Sequence, residues 1–292
     1  KVKELLTHKE IPKVGSNIKF DMHMTANRGI IIDGPVYETI VMDWLLDENR
    51  RGRHGLKVLA KEYCGIQMRD FSEVFPMIRK RKGIPDDTAG DAILRKMSTA
   101  EGKKEAIEYS GLDAYATMKV KAYLENMLRQ EQMFKGCTLW DYYLEIEVPF
   151  TRLLWNIERR GFTICVGYLK DLEEPMMRDI LNIETEFNKA AGRVINLGSP
   201  LQLRDFFYSH LKKCPTKWTN GGVSGIKQPS TDEEVLIEWA TEGDDYAKTI
   251  LNHRKLSKIL NTYVVGLQKG VDKNCRIHTT FNQAGTSTGR LS

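Results

Sequence analysis

The spacing of apolar residues changes character near residue 136. Before it, two short apolar runs that suit strands, Gly29 to Ile32 and Ile40 to Trp44, alternate with helical patterns at Leu56 to Cys64 and Glu105 to Leu128. That alternation predicts an α/β domain. Another apolar run begins at Val14 and closes on Asn17-Ile-Lys-Phe-Asp21, ahead of a helix expected from Met22 to Asn27. Asp21 is therefore expected to stand exposed at a strand or helix edge.

From Trp140 onward the period is helical. Ile146, Phe150, Leu153, Leu154 and Ile157 predict one buried stripe, ended by Arg159, Arg160 and Gly161 as dipole partners and C′ residue. Leu169, Leu172, Met176, Ile180, Ile183 and Phe187 predict one face of a long helix, with Pro175 bending it. Ser199-Pro200 reads as an N-cap followed by proline at the first helical position, and Thr231-Asp-Glu-Glu234 as a capping box. Lys212 to Pro229, rich in Gly, Lys, Thr and Pro, reads as a flexible loop, and Arg79-Lys-Arg-Lys82 as a solvated basic run. There is no internal repeat.

Composition narrows the class. The chain is 292 residues long, 41% hydrophobic and 28% charged, and its mean hydropathy is −0.42, values of an ordinary globular protein with room for two domains. No apolar stretch approaches the roughly 20 residues of a membrane span, and the first residues are too charged for a signal peptide. The five cysteines are too far apart for a CxxC pair and read as small buried hydrophobes in a reducing compartment. A first residue that is Lys and an end at Gly-Arg-Leu-Ser292 suggest an internal piece of a longer chain.

Charge is unevenly spread. Residues 1–135 carry 24 Lys/Arg against 20 Asp/Glu and residues 136–245 carry 12 against 18, whereas residues 246–292 carry 8 against 1. A basic end on a neutral body suits a polyanion. On a helix from about Tyr246 to Leu267, Lys248, Arg254, Lys255 and Lys258 share an arc of about 120°, while Leu256, Leu260, Tyr263, Val264 and Leu267 occupy another. Such a helix can pack by one face and follow phosphates with the other. Tyr109 and Asp113, four apart on a helix, project from the same face, where a tyrosine can hold a water beside a carboxylate-bound metal. Phosphodiester hydrolysis by two cations needs several carboxylates from separate elements, and Asp21 is a second such carboxylate. Hard oxygen ligands suit Mg²⁺.

Several motifs in these residues resemble the family A, bacterial polymerase I-like, DNA polymerases. Asn17 to Asp21 resembles the second motif of the family's 3'-5' exonuclease domain and Tyr109 to Asp113 the third. Gly52-Arg-His-Gly-Leu-Lys-Val-Leu-Ala60 resembles the segment between them. Arg254-Lys-Leu-Ser-Lys-Ile-Leu-Asn-Thr-Tyr263 is similar to the thumb helix that grips duplex phosphates, and Asn196-Leu-Gly-Ser-Pro200 and Pro229-Ser-Thr231 to thumb helix starts. Arg276-Ile-His-Thr-Thr-Phe-Asn-Gln283 and Thr286-Ser-Thr-Gly-Arg-Leu-Ser292 look like the entry to the polymerase palm.

The resemblance implies an α/β ribonuclease H-like exonuclease domain over 1–135, incomplete at its N-terminal side, then a mainly helical thumb over 136–270 and the first palm strand within 271–292. It implies Asp21 and Asp113 as ligands of two Mg²⁺, or Mn²⁺ or Zn²⁺, with Tyr109 orienting the attacking water and Asn17 in a supporting role. It also implies Arg254, Lys255 and Lys258 at duplex phosphates, and Thr288 shaping the turn that presents Arg290 to the minor groove. Residues 1–16 hold no Asp-x-Glu like the family's first exonuclease motif. The expected partners are primer-template duplex and single-stranded 3' ends, for a monomer in the cytoplasm of a bacterium or of a phage's host. A stand-alone 3'-5' exonuclease and a non-catalytic duplex-binding module are the alternative readings.

Overall fold

The computed structural model describes residues 1–50, 52–78, 88–219 and 225–292; the Arg79 to Lys82 run lies outside them. They form two compact units, Lys1–Arg160 with Thr279–Ser292, and Gly161–His278. The division follows the chain's own punctuation: the Val148–Arg160 helix ends in two arginines, and Gly161 turns away with φ +66°. A Cβ at Gly161 would lie 2.6 Å from the Ile277 carbonyl oxygen, so both the conformation and the space require glycine. The first unit continues past residue 135, with Trp140 and Tyr143 in its core.

In the first unit, Lys13–Gly15 pairs in parallel with Val36–Glu38, Val14 opposite Tyr37. The Leu56–Cys64 helix has the expected bounds, and the helix expected at Glu105 to Leu128 runs over Ala100–Gln130. The Thr99 hydroxyl starts it by accepting the Gly102 amide at 3.0 Å. Ala116, Val120, Leu124 and Leu128, each one turn on, are fully buried and share a core with Val41, Met42, Leu59 and Ala60. Ile18, Met22, Ala26, Ile32, Val36 and Trp155 make a second core.

Two expected strands are absent. Ile40 to Trp44 lies inside the Thr39–Leu46 helix, because the Glu38 carboxylate accepts the Ile40 amide at 3.1 Å and starts a helical turn. So short a mainly apolar run has no period that separates strand from helix. Gly29 to Ile32 is irregular chain that turns Ile32 into the core.

The expected stripe on the Val148–Arg160 helix is also displaced. Ile146 and Leu153 are 48% and 50% exposed, while Glu147, Thr151, Leu154, Trp155 and Glu158 are buried. Polar partners from elsewhere in the unit meet the two carboxylates, and a π-helical turn over Tyr143–Glu147 precedes the helix. The cysteines are exposed except Cys64, which is half-buried, and all five are free thiols.

In the second unit, the Val166–Ala191 helix contains Pro175 and turns the expected face inward, with Phe187 buried. Ser199 accepts the Gln202 amide and Pro200 takes the first helical position. Phe187, Leu203, Phe206, Phe207, Leu236, Trp239 and Ile250 form the core. The Glu233–Thr241 helix is capped by Asp232, whose carboxylate accepts the Val235 amide at 3.2 Å, not by Thr231. Among its described residues the unit is helical apart from loops and a two-residue antiparallel pairing of Phe162–Thr163 with Arg276–Ile277. Within the loop from Lys212 to Pro229, Trp218 and Pro229 form an isolated bridge.

The cap assignment is open to measurement. Asp232→Ala is expected to cost about 1 kcal/mol in urea unfolding. Glu234→Ala, which would break a capping box begun at Thr231, is expected to change stability by less than about 0.5 kcal/mol.

Candidate functional site

Tyr109 and Asp113 stand one turn apart on the Ala100–Gln130 helix, with their side chains on the same face. Both are half-buried and line a cleft of about 320 Å³ with Gly55, Leu56, Lys57, Val58 and Met68. Burial raises the Asp113 carboxyl above its usual range, opposed by the nearby Lys57 charge and by the Tyr109 hydroxyl. Burial raises the Tyr109 hydroxyl, and the Asp113 charge adds to it. The Tyr109 ring is braced edge-on by Phe75, centroids 5.5 Å apart. Lys57 was not singled out from the sequence; it is held by Asp70 at 2.8 Å.

Asp21 lies on the Ile18–Ala26 helix and is exposed, yet protein packed about its carboxyl raises its pKa. The helix is placed by Asn17 and Glu38. Asn17 takes a left-handed φ of 65°, a conformation asparagine tolerates. Its amide and that of Ile18 donate to the Glu38 carboxylate at 2.8 and 2.6 Å. Lys19 and His23, four apart, turn inward to Glu158, which leaves Asp21 on the outward face.

Asp21 lines neither the Tyr109 cleft nor a second cleft of about 530 Å³ beside Asn17, Lys19, Glu38 and His54. Among the described residues no three His, Cys, Asp or Glu side chains come together as a metal cage. Two carboxylates of suitable chemistry are present, but the donors among the described residues do not complete a site for two cations.

The residues expected at DNA fall into both units. Lys248, Lys255 and Lys258 are exposed on the Asp245–Lys258 helix. Arg254 is half-buried and donates to the Thr231 carbonyl at 2.9 Å, tying this helix to the start of the preceding one. The expected apolar arc is broken at Tyr263, 52% exposed, since the helix passes into a π-helical segment over Ile259–Val265 and a period of 100° no longer holds. His253, buried against Glu184 at 2.9 Å, takes a core position that an apolar count misses.

In the first unit, Thr288 and Arg290 are exposed near the end of the Thr279–Ser292 segment. Asn282 and Ser292 exchange both backbone hydrogen bonds, at 2.9 and 3.2 Å. Gly289 turns with φ +73°, and the Trp44 ring N–H holds the Thr286 carbonyl at 3.0 Å.

Comparison with known proteins gives this arrangement a family. A family model described as 3'-5' exonuclease matches residues 1–129, and one described as DNA polymerase family A matches residues 166–292. DNA polymerase I of Synechocystis sp. is 33% identical over 297 residues, a match spanning 99% of this chain and 27% of the relative. DNA polymerase I of Pseudomonas aeruginosa is 29% identical over 100% of this chain and 30% of its own length. The solved POL domain of Pol1 from M. smegmatis, in complex with DNA primer-template and dNTP, superposes on 100% of this chain and 43% of that one, with a TM-score of 0.72 at 25% identity. The chain belongs to DNA polymerase family A, with a 3'-5' exonuclease region ahead of the polymerase match. It spans less than a third of the length of the curated relatives it matches. Among the described residues no helix is long and apolar enough to cross a membrane.

Glu38, only 6% exposed, provides a test of how the Asp21 helix is held. Burial pushes its carboxyl up to about 7 from an ordinary 4.5, against backbone N–H donors that favour the charged form. A carboxyl raised in the folded state contributes stability fully below its unfolded pKa and loses it as pH rises through the folded value. Between about pH 4.5 and 7 the contribution of Glu38 thus declines, by at most about 3 kcal/mol. The stability difference between wild type and Glu38→Gln, whose amide does not titrate, is expected to narrow from pH 5 to pH 8 in urea unfolding. A gap that widens contradicts the assignment.

Proposed function

We propose that this chain is the part of a family A DNA polymerase that joins its 3'-5' exonuclease to its polymerase. On this reading residues 1–135 carry a ribonuclease H-like exonuclease, 136–270 the thumb and 271–292 the start of the palm. The whole protein copies a primed DNA template and removes mispaired nucleotides from the 3' end. The single observation that carries the exonuclease half is the Tyr109–Asp113 pair, which lines one open cleft together with Lys57.

In that reading Asp113 and Asp21 hold divalent cations, Mg²⁺ by their oxygen chemistry, and Tyr109 orients the attacking water. Lys255 and Lys258, with Arg254, contact duplex phosphates, and Gly289 and Thr288 present Arg290 at the primer end. DNA in two forms, a primer-template duplex and a single-stranded 3' end, is then the partner of a monomeric cytoplasmic protein. The incomplete set of metal-capable side chains among the described residues favours a second reading, a duplex-binding module without hydrolysis.

In the full gene product with Mg²⁺ present, Asp113→Ala is expected to abolish degradation from the 3' end and leave primer extension intact. Degradation near the wild-type rate in that variant removes the role given to Asp113. A wild-type protein that binds duplex but degrades nothing supports the second reading.

The thumb assignment is tested separately by fluorescence anisotropy with a primer-template duplex at several salt concentrations. Lys255→Ala with Lys258→Ala is expected to weaken binding to every duplex alike and to reduce the slope of log affinity against log salt by about two. An unchanged slope makes this helix face a solvated surface only.

A further inference from the structure

One buried carboxylate is shared by two segments that the functional reading assigns to different activities. Glu158, 3% exposed, lies on the Val148–Arg160 helix. One of its oxygens pairs with Lys19 Nζ and accepts the Phe281 amide at 2.8 Å; the other meets His23 Nε2 at 2.9 Å. Lys19 Nζ in turn donates to the Phe281 carbonyl. Both backbone polar groups of Phe281 are thus held by this ion pair.

The same stretch of chain grips the segment a second time. Glu147 accepts Gln283 Nε2 at 2.9 Å, and the Thr151 hydroxyl donates to Gln283 Oε1 at 2.9 Å. Glu147, Thr151 and Gln283 are all buried. On one side of Glu158, then, stands the helix bearing Asp21, and on the other the segment that ends in Thr288 and Arg290.

Burial alone would move the Glu158 carboxyl up, but hydrogen bonds from Lys19, His23 and the Phe281 amide outweigh it and hold the group below its usual range. Apolar residues of the same volume commonly match a buried ion pair in stability. What the pair adds is geometry: four donor and acceptor groups on two segments meet in one register only.

We propose that Glu158 is a positioning residue for both activities, fixing the helix that presents Asp21 and the segment that presents Arg290 with one carboxylate. The inference rests on the functional reading above. It distinguishes Glu158 from Asp113, whose loss affects one activity alone.

The test uses Glu158→Gln in the full gene product. The amide keeps the size of the side chain and one acceptor, but sets an N–H₂ against Lys19 or His23. A displaced reacting group costs rate rather than ground-state affinity, so kcat for 3' degradation and kcat for primer extension are both expected to fall about tenfold, with KM for DNA within about twofold of wild type. Leu154→Ala, on the same helix at a site 1% exposed, controls for lost stability and is expected to leave both rates unchanged below its unfolding temperature. Wild-type rates in Glu158→Gln, loss of one activity only, or equal losses in Leu154→Ala overturn the proposal.

A second measurement does not depend on activity. In the 292-residue chain, hydrogen exchange at the Phe281 amide and along Ile18–Ala26 is expected to quicken together in Glu158→Gln; wild-type exchange at either site overturns the shared clamp. If the unsubstituted gene product neither extends nor degrades DNA, the functional reading fails and the exchange result alone decides the clamp.

Discussion

A carboxylate withdrawn from water costs several kcal/mol unless donors reach it, and among its described residues the first unit withdraws four. Glu38, Asp43, Glu147 and Glu158 are all buried. Each is met by groups distant in sequence: Glu38 by the Asn17 and Ile18 amides, Asp43 by His54 and Tyr63, both at 2.6 Å, Glu147 by Gln283, and Glu158 by Lys19, His23 and Phe281. Parallel pairing in this unit extends over three residues a side, so much of its geometry is set by these charges and not by a sheet. Any rearrangement that freed one carboxylate from its donors would leave a buried charge without compensation, which is why the arrangement of elements is narrow.

This scaffolding accounts for the different settings of the candidate residues. Tyr109 and Asp113 lie on a helix of 31 residues whose same face, further along, supplies core residues Ala116, Val120, Leu124 and Leu128, so their relative position is rigid. Asp21 lies on a short helix whose start is held by Glu38 and whose inner face is held by Glu158. Thr288 and Arg290 follow a stretch anchored at Phe281 and Gln283. Asp21, Thr288 and Arg290 are carried on elements whose buried sides are polar and directional, an arrangement that favours precision of placement over sheer stability.

How much of this could be read from the chain depended on what each residue does with its neighbours. Leu56–Cys64 was legible because period and glycine punctuation agree, and Ser199-Pro200 because cap and proline act locally. The Tyr109–Asp113 pairing followed from helical spacing alone. Ile40 to Trp44 was misread because its branched, apolar residues suit a strand, while the side chain that starts the helix, Glu38, lies outside the run. The buried face of Val148–Arg160 was missed for a related reason: Glu147 and Glu158 count as surface residues until the partners that neutralise them are known, and Lys19, His23 and Gln283 are far away in sequence. Arg254 was read as facing DNA, but the Thr231 carbonyl that takes one of its N–H groups becomes visible only once two helices are packed.

Among the described residues three π-helical segments, Tyr143–Glu147, Asp205–His210 and Ile259–Val265, carry a consequence for how chain length can vary. A π turn holds one residue more than the α turn it replaces, and the extra residue is taken up locally. Removing one residue within such a segment lets the helix close into regular α geometry with the faces before and after it still in phase; the same deletion elsewhere rotates everything downstream by about 100°. These are therefore the helical positions at which relatives of different length can align without exchanging their buried and exposed sides.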